Sequence, residues 1–320
     1  MRRLGIVVVV LIALGIAGHL SGTQPARDAV VAAERELGMK LEQRRVDVGD
    51  VSLFVVQAGP ADGPPVVLLH GFPEFWYAWR REMALLAAAG FRVIVPDQRG
   101  YAGSDKPRGV DAYRIDRLGD DVAGLIAALG HRQACVAAHD WGGGVAWNVA
   151  LRHPERVRKL AILDTPHPRA ADEVQSKEQK IAWYRTFFQI PWLPEETARW
   201  GNWYVTARML RDTARPGVFS DEKLDLYRTA WDHDGAFGTM VSWYRAAFRY
   251  PSTLSGPQRV TVPTLLLLAP DDAFIPADLT RASLRWLDDG RLVELERGTH
   301  WVVQEEPETI ARLLGEFFAP

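Results

Sequence analysis

A single cysteine, Cys135, among 320 residues excludes an intramolecular disulfide framework and any cysteine-built zinc cluster. Charge of one sign is also missing. The 38 basic and 40 acidic side chains leave a formal net charge of −2, without the basic surplus of a nucleic-acid binder. Histidines number only eight, and His153, His167 and His233 show no metal-ligand spacing with one another. No G-x-S-x-G segment occurs, which argues against a serine esterase or lipase. Internal repeats and low-complexity tracts are absent as well. What remains is a globular balance, 48% hydrophobic and 24% charged, in a length that suits two domains or one large α/β unit. Twelve tryptophans are many for this length and suggest aromatic bulk around an apolar ligand as well as in the core.

The N-terminus is the one strong compositional break. Met1-Arg2-Arg3 precedes 14 apolar or small residues, Leu4 to Ala17. This pattern reads as a signal peptide cleaved after Ala17 or, taken through to Leu20, as a slightly short membrane anchor. Residues 1–23 are therefore set aside as a targeting segment. The expected location is exported (periplasmic or extracellular) or membrane-anchored, with membrane association through residues 4–20.

From there the chain alternates strand and helix signals. Residues 22–42 read as a polar linker with a short helix between Pro25 and Leu41. Val46–Val48 and Val51–Val56 flank Gly49-Asp50 as a hairpin. Continuous apolar runs at Pro65–His70, Phe91–Val95, Ala134–His139, Val157–Leu163, Thr264–Ala269 and Leu292–Leu295 suit strands buried on both faces. Helices are expected over Phe75–Ala89, Tyr113–Leu129, Gly143–Arg152, Asp278–Trp286 and Glu308–Phe318. The pattern predicts an α/β fold with a mostly parallel eight-stranded sheet flanked by helices. Residues 167–256 break the alternation, are helix-like and hold six of the twelve tryptophans. They read as an inserted helical cap, dividing the core into residues 24–166 and 257–320.

Ala138-His139-Asp140-Trp141-Gly142-Gly143-Gly144 follows a strand and opens a helix, the setting of a nucleophile elbow with Asp140 in the nucleophile's place. Small residues at 138 and 142 allow the tight turn, and the helix N-terminus favours an ionised carboxylate. The alternative is that Asp140 only caps the helix. Its companions stand in the nucleophile–acid–histidine order: Asp272 after the strand Thr264–Ala269, and His300 in the loop after Leu292–Leu295. Asp164, after the strand Val157–Leu163, is an alternative acid, and Asp271 fits the register less well. His70-Gly71-Phe72-Pro73-Glu74 sits where one oxyanion-hole N–H arises, so the amides of Phe72 and Trp141 should converge beside Asp140. Cys135 reads as a core residue, His139 as structural, and Arg99 and Asp105 as parts of a loop that supports the sheet end.

These segments, with Asp97-Gln-Arg-Gly-Tyr-Ala-Gly-Ser-Asp105 and Gly298-Thr-His-Trp301, resemble the epoxide hydrolases of the α/β-hydrolase fold, in the branch shared with haloalkane dehalogenases. The resemblance covers about residues 44 to 318. Two cap segments extend it: Ser242-Trp-Tyr-Arg245 resembles the family's motif for one ring-opening tyrosine, Tyr244, and Trp183-Tyr184-Arg-Thr-Phe-Phe-Gln-Ile-Pro191 resembles that of its partner, Tyr184. Ala138 departs from the glycine common in the fold, and the leader is longer.

The resemblance implies a two-step reaction on a small hydrophobic epoxide and water, giving a vicinal diol without metal or organic cofactor. Asp140 attacks, Tyr184 and Tyr244 hold the alkoxide, and His300, oriented by Asp272, activates water against the ester. Phe72, Pro73, Trp141, Trp183 and Trp301 are expected to line the pocket. A haloalkane dehalogenase is the alternative, with Trp141 and Trp183 as halide donors. A membrane-tethered binding protein without turnover is a third reading, and it would require a broken triad. The oligomeric state cannot be read from the sequence.

Overall fold

A computed structural model describes residues 29–175, 183–252, 254 and 258–319. The expected targeting segment, residues 1–23, lies outside them. Among the described residues no helix is long and apolar enough to cross a membrane.

Helix α1 (Ala29–Leu37) precedes an eight-stranded sheet: β1 (Glu42–Asp47), β2 (Ser52–Ala58), β3 (Pro65–Leu69), β4 (Arg92–Pro96), β5 (Ala134–His139), β6 (Val157–Leu163), β7 (Thr264–Leu268) and β8 (Gly290–Glu294). Their spatial order is β1-β2-β4-β3-β5-β6-β7-β8. Only the pairings of β2, with β1 and with β4, are antiparallel. The β4–β3, β3–β5, β5–β6, β6–β7 and β7–β8 pairs are parallel. Every residue of β4, β5 and β7 is buried, because helices cover both faces and an unbroken apolar run is what such a strand requires. The outermost strand β1 starts at Glu42, earlier than its apolar residues suggest. As an edge strand it exposes all its side chains except Val46, so hydrophobicity alone hides its first half.

Helices α2 (Arg80–Ala88), α3 (Ile115–Ala128) and α4 (Trp141–Arg152) link β3 to β6. The helix expected over Phe75–Ala89 divides: Trp76–Trp79 forms a buried 3₁₀ turn before α2. Between β6 and β7, where the alternation stops, lie α5 (Pro168–Gln175), α6 (Trp183–Phe187), α7 (Leu193–Thr213), α8 (Asp221–Asp232) and α9 (Ala236–Arg249). Helix α7 is broken in the middle, with Gly201, Asn202 and Trp203 at φ of 60°, 58° and 64°. Helices α10 (Ala277–Ser283), α11 (Val302–Glu305) and α12 (Pro307–Phe318) complete the fold. Most of the aromatic bulk is packing: Trp76, Trp79, Trp147, Trp203, Trp231, Trp243 and Trp301 are all buried.

The cap-facing end of the sheet is fixed by the loop after β4. Asp97 accepts the N–H groups of Trp76 (2.9 Å) and Gly103 (3.0 Å), and Gln98 donates its side-chain amide to the His70 carbonyl (2.7 Å). Arg99 forks onto buried Asp121, with Nε and Nη2 each 2.7 Å from a carboxylate oxygen, and also reaches Asp50. The Arg99 carbonyl in turn accepts the indole N–H of Trp243 from α9 (3.0 Å), tying cap to core. Asp105 closes the same loop, accepting the Ser52 N–H (2.8 Å) and pairing with Arg45.

Replacing Arg99 with Met would leave Asp121 buried and uncompensated. Urea unfolding of Arg99→Met should therefore show a loss of about 3–5 kcal/mol, far beyond a surface-charge change. A midpoint equal to that of the parent would show that the pair does not hold this loop.

Candidate active site

The site begins with a conflict of backbone and chemistry at the end of β5. Asp140 connects that strand directly to α4 and adopts φ 50°, ψ −123°, a region costly to a residue with a Cβ. Its side chain makes no capping bond to α4, which removes the reading of Asp140 as a helix cap. Instead Oδ1 accepts the Phe72 N–H at 2.8 Å, and the nearby Trp141 amide also favours the charged carboxylate. The close approach needs glycine on both sides. A Cβ on Gly142 would lie 2.5 Å from the Leu69 carbonyl oxygen, and one on Gly71 would lie 2.5 Å from Asp140 Oδ1.

His70 holds the Phe72 amide in place. Its Nε2 accepts the Gln98 N–H (3.2 Å), and its Nδ1 lies 3.1 Å from the Gly71 carbonyl oxygen, to which it donates. Burial lowers the imidazole pKa to about 4, so it stays neutral and can accept at Nε2.

His300 arrives from the loop after β8. Thr299, one residue before it, is fixed by Glu305 through both its N–H and its hydroxyl, each at 2.8 Å. Nδ1 of His300 lies 2.7 Å from Asp272 Oδ2, and Nε2 lies 3.6 Å from Asp140 Oδ2. Asp272 is held from its other side, where Oδ1 accepts the N–H groups of Phe274 (2.7 Å) and Ile275 (2.9 Å). The structure thus brings Asp140, His300 and Asp272 together and makes Asp272, not Asp164, the partner of the imidazole. Asp164 turns Oδ1 to the Ala269 N–H (2.8 Å), and burial, with Asp272 nearby, raises its pKa well above its ordinary value. Asp271 is exposed and pairs its N–H with the Gly298 carbonyl.

Burial alone would drive the His300 proton off, but Asp272, Asp140 and Asp164 outweigh it and raise the pKa to about 9. Burial also raises the pKa of Asp140, opposed by His300 and by the two backbone amides.

Above Asp140 opens a cavity of about 200 Å³. Tyr184 from α6 and Tyr244 from α9 form part of its wall, with ring centres 6.2 Å apart. Burial, then Asp140, raises the Tyr184 pKa to about 12 and that of Tyr244 further, so both phenols keep their protons. Among the described residues no group of three or more His, Cys, Asp or Glu side chains could hold a metal ion.

A sequence model described as the alpha/beta hydrolase fold matches residues 64–307. The chain belongs to the α/β-hydrolase family. Over 275 residues it is 38% identical to AB hydrolase superfamily protein YfhM of Bacillus subtilis, spanning 85% of this chain and 96% of that protein. Over 312 residues it is 34% identical to epoxide hydrolase A of Mycobacterium tuberculosis, spanning 86% and 96%. A crystal structure of a Bacillus megaterium epoxide hydrolase in complex with an inhibitor superposes with a TM-score of 0.77 at 25% identity, covering 86% of this chain and 99% of that one.

Against this family background the expected pocket needs correction. Phe72, Trp183 and Trp301 line the cavity, with Trp183 at its exposed mouth. Pro73 and Trp141 do not. The Pro73 carbonyl is engaged by the Trp231 indole (2.7 Å), and the Tyr244 ring packs edge-on against Trp141, 4.8 Å between centres. Sequence reasoning missed Phe274, which lines the cavity and packs on His300 with ring centres 4.9 Å apart. Its signal was present: an Asp two residues before it is the start of an Asx turn.

Because the folded pKa of His300 lies above its ordinary 6.5, the stability it contributes is complete below about pH 6.5 and is lost as pH rises to about 9. In Asp272→Asn, NMR titration of His300 should move from about 9 back toward 6.5, and unfolding midpoints should lose most of that pH dependence. An unmoved titration would deny Asp272 its hold on the imidazole.

Proposed function

We propose that the protein hydrolyses a hydrophobic epoxide to a vicinal diol through an ester on Asp140. The observation that carries this reading is the placement of two protonated phenols, Tyr184 and Tyr244, on the wall of the cavity that also holds the Asp140 carboxylate. An epoxide needs this pairing: a nucleophile on one side of a ring carbon and hydrogen-bond donors for the ring oxygen on the other. A carboxylate nucleophile also suits the second step, since its ester offers a carbonyl carbon to water whereas an ether on serine would not.

The steps follow from the geometry. Oδ1 of Asp140 is held by the Phe72 N–H, so Oδ2, facing His300, attacks the ring carbon. The carbon–oxygen bond breaks, and the alkoxide takes a proton from a tyrosine. In the ester the negative charge of Asp140 is gone, which removes one of the forces that keep His300 protonated. Once the imidazole has released its proton toward the tyrosinate, Nε2 can remove one from water as the oxygen attacks Cγ. The Phe72 and Trp141 amides hold the oxyanion on Oδ1; its collapse breaks the Cγ–Oδ2 bond, the leaving alkoxide takes the proton of the new carboxyl hydroxyl, and the diol departs from a restored carboxylate.

Two observations support this reading over halide displacement. The Trp141 indole packs edge-on against the Tyr244 ring and does not line the cavity, and Trp183 stands at the mouth of the cavity, largely in solvent. The relatives named epoxide hydrolases point the same way.

The full chain should convert styrene oxide to its diol and release no bromide from 1-bromobutane. In His300→Gln, intact mass should rise by the mass of the epoxide while diol formation falls about 100-fold or more. Asp140→Ala should show neither mass gain nor diol. Tyr184→Phe and Tyr244→Phe should each slow ring opening by about 10- to 1000-fold. Bromide release without diol, or a mass gain that survives Asp140→Ala, would overturn the proposal.

A further inference from the structure

Exposed aromatic side chains stand on the two cap helices that contribute to the cavity wall, α6 and α7. Trp183 is 74% exposed, Trp192 69%, Tyr204 49% and Trp200 46%. Trp183 lines the cavity from α6. Trp192 opens α7, whose Pro194, Thr197 and Ala198 form the opposite wall. Trp200 and Tyr204 touch, with ring centres 6.3 Å apart, directly before the lining residue Val205. Within the same segments Arg185 and Arg199 are exposed and form no ion pair among the described residues, Arg199 lying over the Trp203 ring at 5.6 Å, and exposed Glu196 is the acid beside them. Indole rings, with an apolar body and a polar N–H, favour the boundary between headgroups and acyl chains, and arginine beside them favours anionic headgroups.

We infer that this rim docks on a lipid bilayer containing anionic lipid, so that the cavity opens toward the acyl chains. The position of the leader points to the same occupant. Twenty-eight residues precede α1, and they include Arg2, Arg3 and the 14-residue apolar run from Leu4 to Ala17. Glu36 of α1 pairs with Arg80 (2.7 Å) and accepts the Tyr77 hydroxyl (3.0 Å), in the turn that follows β3 at the cap-facing end of the sheet. The eleven residues from Gly18 to Asp28 can reach about 35 Å when extended. That length lets the apolar run reach a membrane up to about 35 Å from the start of α1. An apolar substrate concentrates in acyl chains, and an opening on that side admits it without passage through water. This delivery role rests on the epoxide reading of the cavity. The docking itself does not.

The test uses the full chain and a variant, Trp192→Ser/Arg199→Glu/Trp200→Ser, whose residues lie outside the cavity wall. Both carry the leader, so attachment alone is not the readout. Vesicles of equal parts phosphatidylcholine and phosphatidylglycerol with brominated acyl chains should quench tryptophan emission of the parent and leave the variant largely unquenched. Turnover of a long-chain epoxide dissolved in the vesicles should fall about tenfold in the variant, while styrene oxide in buffer is turned over equally by both. Equal fractional quenching of the two proteins would overturn the inference. So would a vesicle-free parent dimer that the variant splits, which would assign the rim to a second copy of the chain. If neither protein turns over any epoxide, the epoxide reading fails and quenching alone decides the docking.

Discussion

The rest of the site depends on the contact between the Phe72 N–H and Asp140 Oδ1. It takes a carboxylate at the end of a buried strand, in a backbone region that costs of order 1–3 kcal/mol, and replaces part of its lost water with fixed amides. To keep that amide aimed, His70 must be neutral, Gln98 must hold the His70 carbonyl, and Asp97 must hold the turn before α2. To keep Asp97 and Gln98 still, Arg99 must stay on Asp121. A chain of polar contacts from a salt bridge to the Asp140 carboxylate therefore runs through one loop.

The charges around His300 show how the site stays solvable in a low-dielectric interior. Three carboxyl groups face one imidazole, and together they raise its pKa against the burial that would lower it. In the proposed reaction the ester removes Asp140 from that set. The imidazole then becomes a better candidate to give up its proton at the stage that calls for a base. The change of role comes from bookkeeping of charge, and no side chain has to move for it.

Much of this was legible in the sequence because the signals were redundant. The buried strands announce themselves as continuous apolar runs, and the Ala-His-Asp-Trp-Gly turn combines strand end, carboxylate and helix start in five residues. Asp272 and His300 were recognisable from their place after strands. What stayed hidden was what depends on surroundings. The polar half of β1 has no apolar pattern because an edge strand needs none. The 3₁₀ turn at Trp76–Trp79 looks helical because its side chains are as buried as those of a helix. Trp141 was read as pocket wall, but a residue beside a nucleophile can turn away from the ligand, and here the Tyr244 ring packs against it. The two tyrosines could be named only through family resemblance, since a cap tyrosine otherwise reads as packing.

The cap enters the sheet between β6 and β7, while Asp140, Asp272 and His300 all stand on loops of the sheet itself. Under the proposed chemistry the two parts carry separate duties: the sheet cleaves the ester, and the cap's tyrosines and aromatic walls choose which ring opens and at which carbon. Selection can therefore rework the insertion, lengthening, kinking or re-lining it, without disturbing the hydrolytic machinery beneath. A lineage built this way can change its diet by editing one contiguous stretch of gene.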